Sequence, residues 1–147
     1  MKAPITGLVA AALLGATAVS ALGATAAIED DRLPVTPANA LAPRVNLIQG
    51  TGARVTRVDL YWSTAAPTRP ANASDPNDPA YDWSWSDAMF SQLQAAKITP
   101  IVTVWNGPGW ATGGPSVGGW QPWNANGPVN PQDFASFMPV SYTHLRA

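Results

Sequence analysis

The sequence predicts an α/β fold of parallel strands, the first strands and helices of a (β/α)8 barrel, and three observations lead to it. Segments that alternate apolar and polar residues take turns with segments of helical spacing, giving strand, helix, strand, helix, strand and the start of a helix. Such alternation implies parallel strands joined by right-handed crossovers. The clearest strand, "RVTRVDLYW" from Arg54 to Trp62, carries Thr56, Val58, Leu60 and Trp62 on one face and Val55, Arg57, Asp59 and Tyr61 on the other. Central strands of a doubly wound sheet are apolar on both faces because helices cover both. A barrel accounts for the polar pair: the aliphatic face packs outward on helices, and Arg57 and Asp59 point into the upper barrel.

The chain opens with a cation, Lys2, then an apolar run of small and aliphatic residues closing on Ala24-Thr25-Ala26. That pattern predicts a secretory signal peptide over residues 1–26, cut near Ala26–Ala27, with Ala21–Gly23 as a second site. Gly15 and Gly23 interrupt the run, which argues against a membrane anchor. Cysteine is absent, so disulfides and cysteine-linked lipids are excluded, and packing alone must hold the secreted domain.

"TAAIEDD" is expected to be a short first strand. A helix follows from about Asn39, closed by Gly50 or Gly52. After the Arg54–Trp62 strand comes a Pro/Asn/Asp-rich loop that contains the glycosylation sequon Asn72-Ala73-Ser74. Ser84 and Asp87 have capping-box spacing, and Trp85, Ala88, Met89, Leu93 and Ala96 then recur along one helical face as core residues. Pro100 to Trp105 is the next strand, with Val102 and Val104 on one face and Ile101, Thr103 and Trp105 on the other. A Gly/Pro/Trp loop leads to Asn130, Pro131 and Asp133, which announce a helix.

The last eight residues, Val140–Ala147, read as a one-frame translation of a transposase adapter used in preparing sequencing libraries. They are therefore expected to be a non-native tail, with the barrel segment spanning 27–139 and the natural protein continuing past Met138. Read instead as native, Val140, Tyr142 and His144 alternate as in a terminal strand. His144, the chain's single histidine, is on the tail reading no general base.

The charges exclude some partners. Eight cations face nine anions; without Lys2 and Arg146 the balance is −3. No basic stripe exists to neutralise phosphates, so nucleic acid is not expected as a partner. Nor is there a basic amphipathic helix for a membrane surface, so no membrane contact is expected after signal cleavage. All seven tryptophans lie between Trp62 and Trp123, in sequence rich in Gly, Pro, Asn and Asp, as flat, weakly charged ligands such as sugars select for. No strand is followed by a Gly-rich phosphate turn, and no metal or other cofactor is implied.

Three stretches, "GARVTRVDLYWSTAAPTRP", "DPNDPAYDWSWSD" and "ITPIVTVWNGPGWA", resemble the amino-terminal third of cellulase-like clan-A glycoside hydrolases of secreted bacterial type. The resemblance spans roughly Ile28 to Met138. It implies a (β/α)8 barrel that hydrolyses O-glycosidic bonds of poly- or oligosaccharides with retention. On that view Arg57 matches the second-strand arginine that supports the catalytic end, and Glu29, Asp30 and Asp31 lie at the first strand's C-terminal end. Retention needs two carboxyl groups about 5–5.5 Å apart. In this group both are glutamates, on the fourth and seventh strands. Glu29 is the chain's single glutamate, so the catalytic pair is not among these residues and no hydrolysis is expected of residues 27–138 alone.

Substrate contacts are expected from Arg57, Asp59, Trp62, Trp105, Asn106, Trp110, Trp120 and Trp123. Indole faces stack on pyranose C–H faces while the N–H donates a hydrogen bond. Each has a structural reading beside the functional one. Arg57 and Asp59 could simply form a buried ionic pair, Trp105 could fill the core, and Asn106 could cap its loop. Trp110 leans towards pinning the loop, as Trp120 and Trp123 could also do. Two other functions stay open: a non-catalytic secreted carbohydrate-binding protein using the loop tryptophans, and a different or catalytically dead barrel relative. The residues fix no oligomeric state.

Overall fold

A computed structural model describes residues 25–114 and 127–146. Three strands form one parallel sheet in the order β1 (Ala27–Glu29), β2 (Val55–Tyr61), β3 (Thr99–Trp105). The register sets Glu29 beside Arg57, Arg57 beside Ile101, Asp59 beside Thr103, and Tyr61 beside Trp105. Among the described residues no helix is long and apolar enough to cross a membrane.

Two short 3-10 turns, Leu33–Val35 and Ala38–Ala40, lead into helix α1 (Leu41–Gly50). Gly52 then turns the chain back at φ +82°, a conformation that glycine adopts without steric cost. Helix α3 (Ser84–Ala95) starts differently from the capping-box expectation: Asp82, not Ser84, supplies the acceptor, taking both the Ser84 N–H at 3.0 Å and the Ser84 hydroxyl at 2.6 Å. One carboxylate oxygen thereby satisfies two donors at the helix entry, where anionic charge is favoured.

The helices α1, α3 and α5 (Pro131–Arg146) cover one face of the sheet. Leu41, Val45 and Ile48 of α1 and Met89 and Leu93 of α3 close over Val58, with Ile28, Trp85, Ala88 and Ala96 packed around them. Further along β2, Leu60 meets Phe137 and Val140 of α5 together with Trp62, Trp83 and Ala111. The helical stripe expected of α3 is found, and Thr56, Val58 and Leu60 of β2 form one buried face that packs on helices. Thr56, fully buried on that face, donates its hydroxyl to the Ile28 carbonyl at 2.8 Å and so ties β1 to β2.

Helix α5 begins at the expected signals, Asn130 Oδ1 accepting the Gln132 N–H at 3.1 Å. It runs on through Pro139 to Arg146, so Val140–Leu145 are helical and not strand. Val140 and Ser141 are adjacent and both buried, which a strand against one surface could not achieve. Proline inside a helix removes a hydrogen bond; burial of Phe137, Val140 and Ser141 on one stripe offsets that loss. His144 lies on this helix-covered side, its ring stacked on Trp83 at 4.6 Å and Nε2 2.7 Å from Asp87 Oδ1.

Candidate functional site

The sheet's second face carries Glu29, Arg57 and Ile101 side by side in its first half, and Asp59, Tyr61, Thr103 and Trp105 towards the C-terminal ends of β2 and β3. The pleat alone places them there: they alternate with the residues that pack on the helices. Arg57 is half-exposed and pairs with Glu29 across the β1–β2 register; its Nη2 also lies 3.8 Å from Asp59 Oδ1. The buried Arg57–Asp59 pair expected from sequence is therefore corrected: Asp59 is buried, but the guanidinium is open to solvent and its closer partner is Glu29.

Burial pushes the Asp59 carboxyl up from its ordinary value, and the negative charge of Asp31 adds to this; the Arg57 charge and a hydrogen bond from the Trp105 side chain oppose it. Burial also raises the Tyr61 hydroxyl, helped by the charges of Asp59 and Asp31. Asp59 Oδ1 and the Tyr61 hydroxyl are both buried without a hydrogen-bond partner. Trp105 stands at the end of β3, 41 % exposed, with its ring edge-on to Tyr61 at a centroid distance of 6.0 Å. Asn106 follows in a left-handed conformation, φ +57°, which asparagine tolerates, and its carbonyl accepts the Ser63 N–H at 2.9 Å.

The other expected site residues divide. Trp62 is not at a strand end facing a ligand. β2 stops at Tyr61, the chain turns into the short helix α2 (Trp62–Ala65), and the Trp62 ring is buried at 2 % exposure. It stacks on Phe137 and meets Trp110 and Phe134 edge-on, which removes it from any sugar-binding surface. Trp110, in the α4 turn (Gly109–Thr112), holds the loop. Its Nε1 donates to the Ala66 carbonyl at 2.8 Å, and the Arg69 guanidinium covers its ring at 4.6 Å while gripping Asp133 with two nitrogens. Trp120 and Trp123 lie outside the described residues.

At the end of β1, Asp30 turns away from this face to form a two-point clamp with Arg44 of α1, at 2.6 and 2.7 Å. Asp31 is exposed and acts on Asp59 and Tyr61 through its charge. Tyr61 was absent from the expected site residues, although the alternation of β2 already puts it in line with Arg57 and Asp59. Among the described residues no cluster of His, Cys, Asp or Glu could hold a metal ion.

These carboxylates make opposite contributions to pH dependence. Arg44 holds Asp30 below the ordinary value, backbone donors led by Asn72 do so for Asp78, and Ser84 does so for Asp82. Their stabilisation is present above the unfolded-state value near 4 and is lost as pH falls through the lowered folded values. Asp59 has the reverse sign: its folded form holds the proton longer, so its charge destabilises as pH rises through the raised value. Asp59→Asn is therefore expected to raise unfolding free energy more at pH 7 than at pH 3. Denaturant unfolding at both pH values checks this, and an equal change at the two would contradict it.

No known protein-family model matches the chain, and no curated protein matches it.

Proposed function

We propose that this chain is the amino-terminal portion of a secreted glycoside hydrolase that cleaves O-glycosidic bonds of poly- or oligosaccharides with retention. The fold in this reading is a (β/α)8 barrel, and its two catalytic glutamates come from later strands. The observation that carries it is the division of the sheet: helices cover one face, while the other presents Glu29 and Arg57, with Asp59, Tyr61 and Trp105 towards the C-terminal ends of β2 and β3. Strand order 1-2-3 with helices on one side also occurs in the first half of a dinucleotide-binding sheet. There the second face is apolar beneath further helices, and a Gly-rich turn follows β1. Here that face carries the charged Glu29, Arg57 and Asp59 among its apolar residues, and "DDRLPV" follows β1.

In this reading each residue has a physical task. Glu29 is engaged by Arg57 and so serves to fix the guanidinium rather than to attack a sugar. Arg57 then presents positive charge at the mouth of the barrel. Trp105 offers an exposed indole on which a pyranose can stack. Secretion rests on the apolar run over residues 1–26.

The test is hydrolysis of β-linked oligosaccharides by the protein encoded by the uninterrupted natural gene, with the product anomer followed by NMR. Release of sugar with retained configuration is expected. Inversion contradicts the two-glutamate mechanism, and binding without release favours the carbohydrate-binding alternative, in which Trp105 would serve the same stacking role.

A further inference from the structure

Ala26 and Ala27 flank the expected signal-peptide cut, and no linker separates that cut from the sheet. The Ala26 carbonyl accepts the Arg54 N–H at 3.2 Å, while Ala27, Ile28 and Glu29 pair in parallel with Val55, Thr56 and Arg57 of β2. Side chains add to this hold. Ile28 packs against the core beneath α1 and α3, its carbonyl takes the Thr56 hydroxyl at 2.8 Å, and Arg57 engages Glu29. The carbonyl that a protease must attack is thus already bonded, and the three residues after it are held as a strand. A protease binds several residues around its scissile bond in extended form, so a segment paired inside a folded sheet is cut only when it opens.

We propose that pairing of β1 with β2 closes this processing site, so that a leader peptidase cuts the Ala26–Ala27 bond only before the sheet forms. In the cut, water adds across the peptide bond, leaving a carboxylate on Ala26 and an ammonium group on Ala27. The product suits the fold: Ala27 and Arg54 are both exposed, so the new ammonium group and the freed Arg54 N–H meet water. The leader's charge agrees with this order. Lys2 is the single cation of residues 1–26, so the leader lacks the paired arginines of the route that exports folded proteins. The inference rests on the secretory leader and not on sugar hydrolysis, and it adds the sequence of events: cutting first, folding second.

The test uses the precursor encoded by the natural full-length gene, a purified leader peptidase in detergent, and N-terminal sequencing of the product. One sample is folded beforehand; the other is diluted from urea directly into the peptidase, with the final urea matched. The unfolded sample is expected to give a product beginning at Ala27, and the folded sample to give it at least about 10-fold more slowly. Thr56→Val, which removes the hydroxyl tie to Ile28, is expected to speed cutting of the folded sample. A second variant places an added alanine and a flexible Gly/Ser segment of about eight residues after Ala26, which moves the cut off the sheet. Its folded and unfolded samples are expected to be cut equally fast. Equal rates for the two wild-type samples overturn the proposal. So does a folded insertion variant as slow as the folded wild type, because pairing of β1 would then not be the obstacle. A product of the unfolded sample beginning at Ala24 also overturns it, since that cut lies three residues outside β1. None of these outcomes bears on sugar hydrolysis, so the hydrolase reading stands or falls separately.

Discussion

Replacing Trp62 by alanine is expected to destabilise the protein by about 3–5 kcal/mol, the usual cost of deleting a large aromatic side chain from a core. The ring is where three parts of the chain meet. It leaves β2 directly, stacks on Phe137 of α5 at 5.4 Å, and takes Trp110 of the α4 turn edge-on at 5.4 Å. Its loss therefore opens a cavity beneath α5 and loosens the loop that α4 anchors. The Trp62 indole N–H is buried without an acceptor, so packing and not hydrogen bonding carries the stabilisation. Trp62→Phe separates these contributions: it keeps most of the stacking, discards the unpaired donor, and is expected to cost far less than alanine. Denaturant unfolding of both variants checks this, and equal losses would contradict it.

Gly107→Ala is the second large effect, expected at about 1–3 kcal/mol from overpacking. A Cβ at this position would lie 2.7 Å from the Thr112 methyl and 3.4 Å from the Trp62 ring. Neither neighbour can move freely. Thr112 is buried and its hydroxyl donates to the Pro108 carbonyl at 3.1 Å, while Trp62 is wedged among the rings of Trp110, Phe134 and Phe137. The cost thus comes from space and not from backbone strain. Because Gly107 and Trp62 share this contact, Gly107→Ala combined with Trp62→Ala is expected to cost less than the two single losses added together. Melting of the single and double variants measures that coupling, and simple additivity would contradict it.

Much of the fold can be read from the sequence because it is local. The alternation of "RVTRVDLYW" locates β2 and its two faces, and the spacing of Met89 and Leu93 locates the buried stripe of α3. Asn130 and Pro131 mark where α5 begins. What the pattern lacks is where a strand stops. Period two carries straight through Trp62, yet the chain turns at Tyr61 because the indole finds its partners in Phe137 and Trp110, far along the sequence. The end of α5 is hidden for a similar reason: Pro139 suggests a break, and only the burial of Val140 and Ser141 shows why the helix continues.

The site was partly legible on the same terms. Arg57, Asp59 and Trp105 fall on the polar face by alternation. Tyr61 belongs with them on that alternation, but its isolation from hydrogen bonds is a property of three-dimensional burial. The pairing of Arg57 with Glu29 depends on the β1–β2 register, which no single segment encodes. Trp110 shows the converse: a loop tryptophan resembles a sugar platform until Arg69 and the Ala66 carbonyl are seen to occupy it.

The most direct test of the barrel hydrolase is to read the source genomic DNA across codon 139 and onward. A frame that departs from the Val140–Ala147 codons and continues through a helix into a strand ending in Asn-Glu is the expected result, with a second strand-end glutamate further on. A stop codon directly after Ala147 in the genome would contradict it: three strands would then be the whole sheet, no barrel could close, and the catalytic glutamates would not exist.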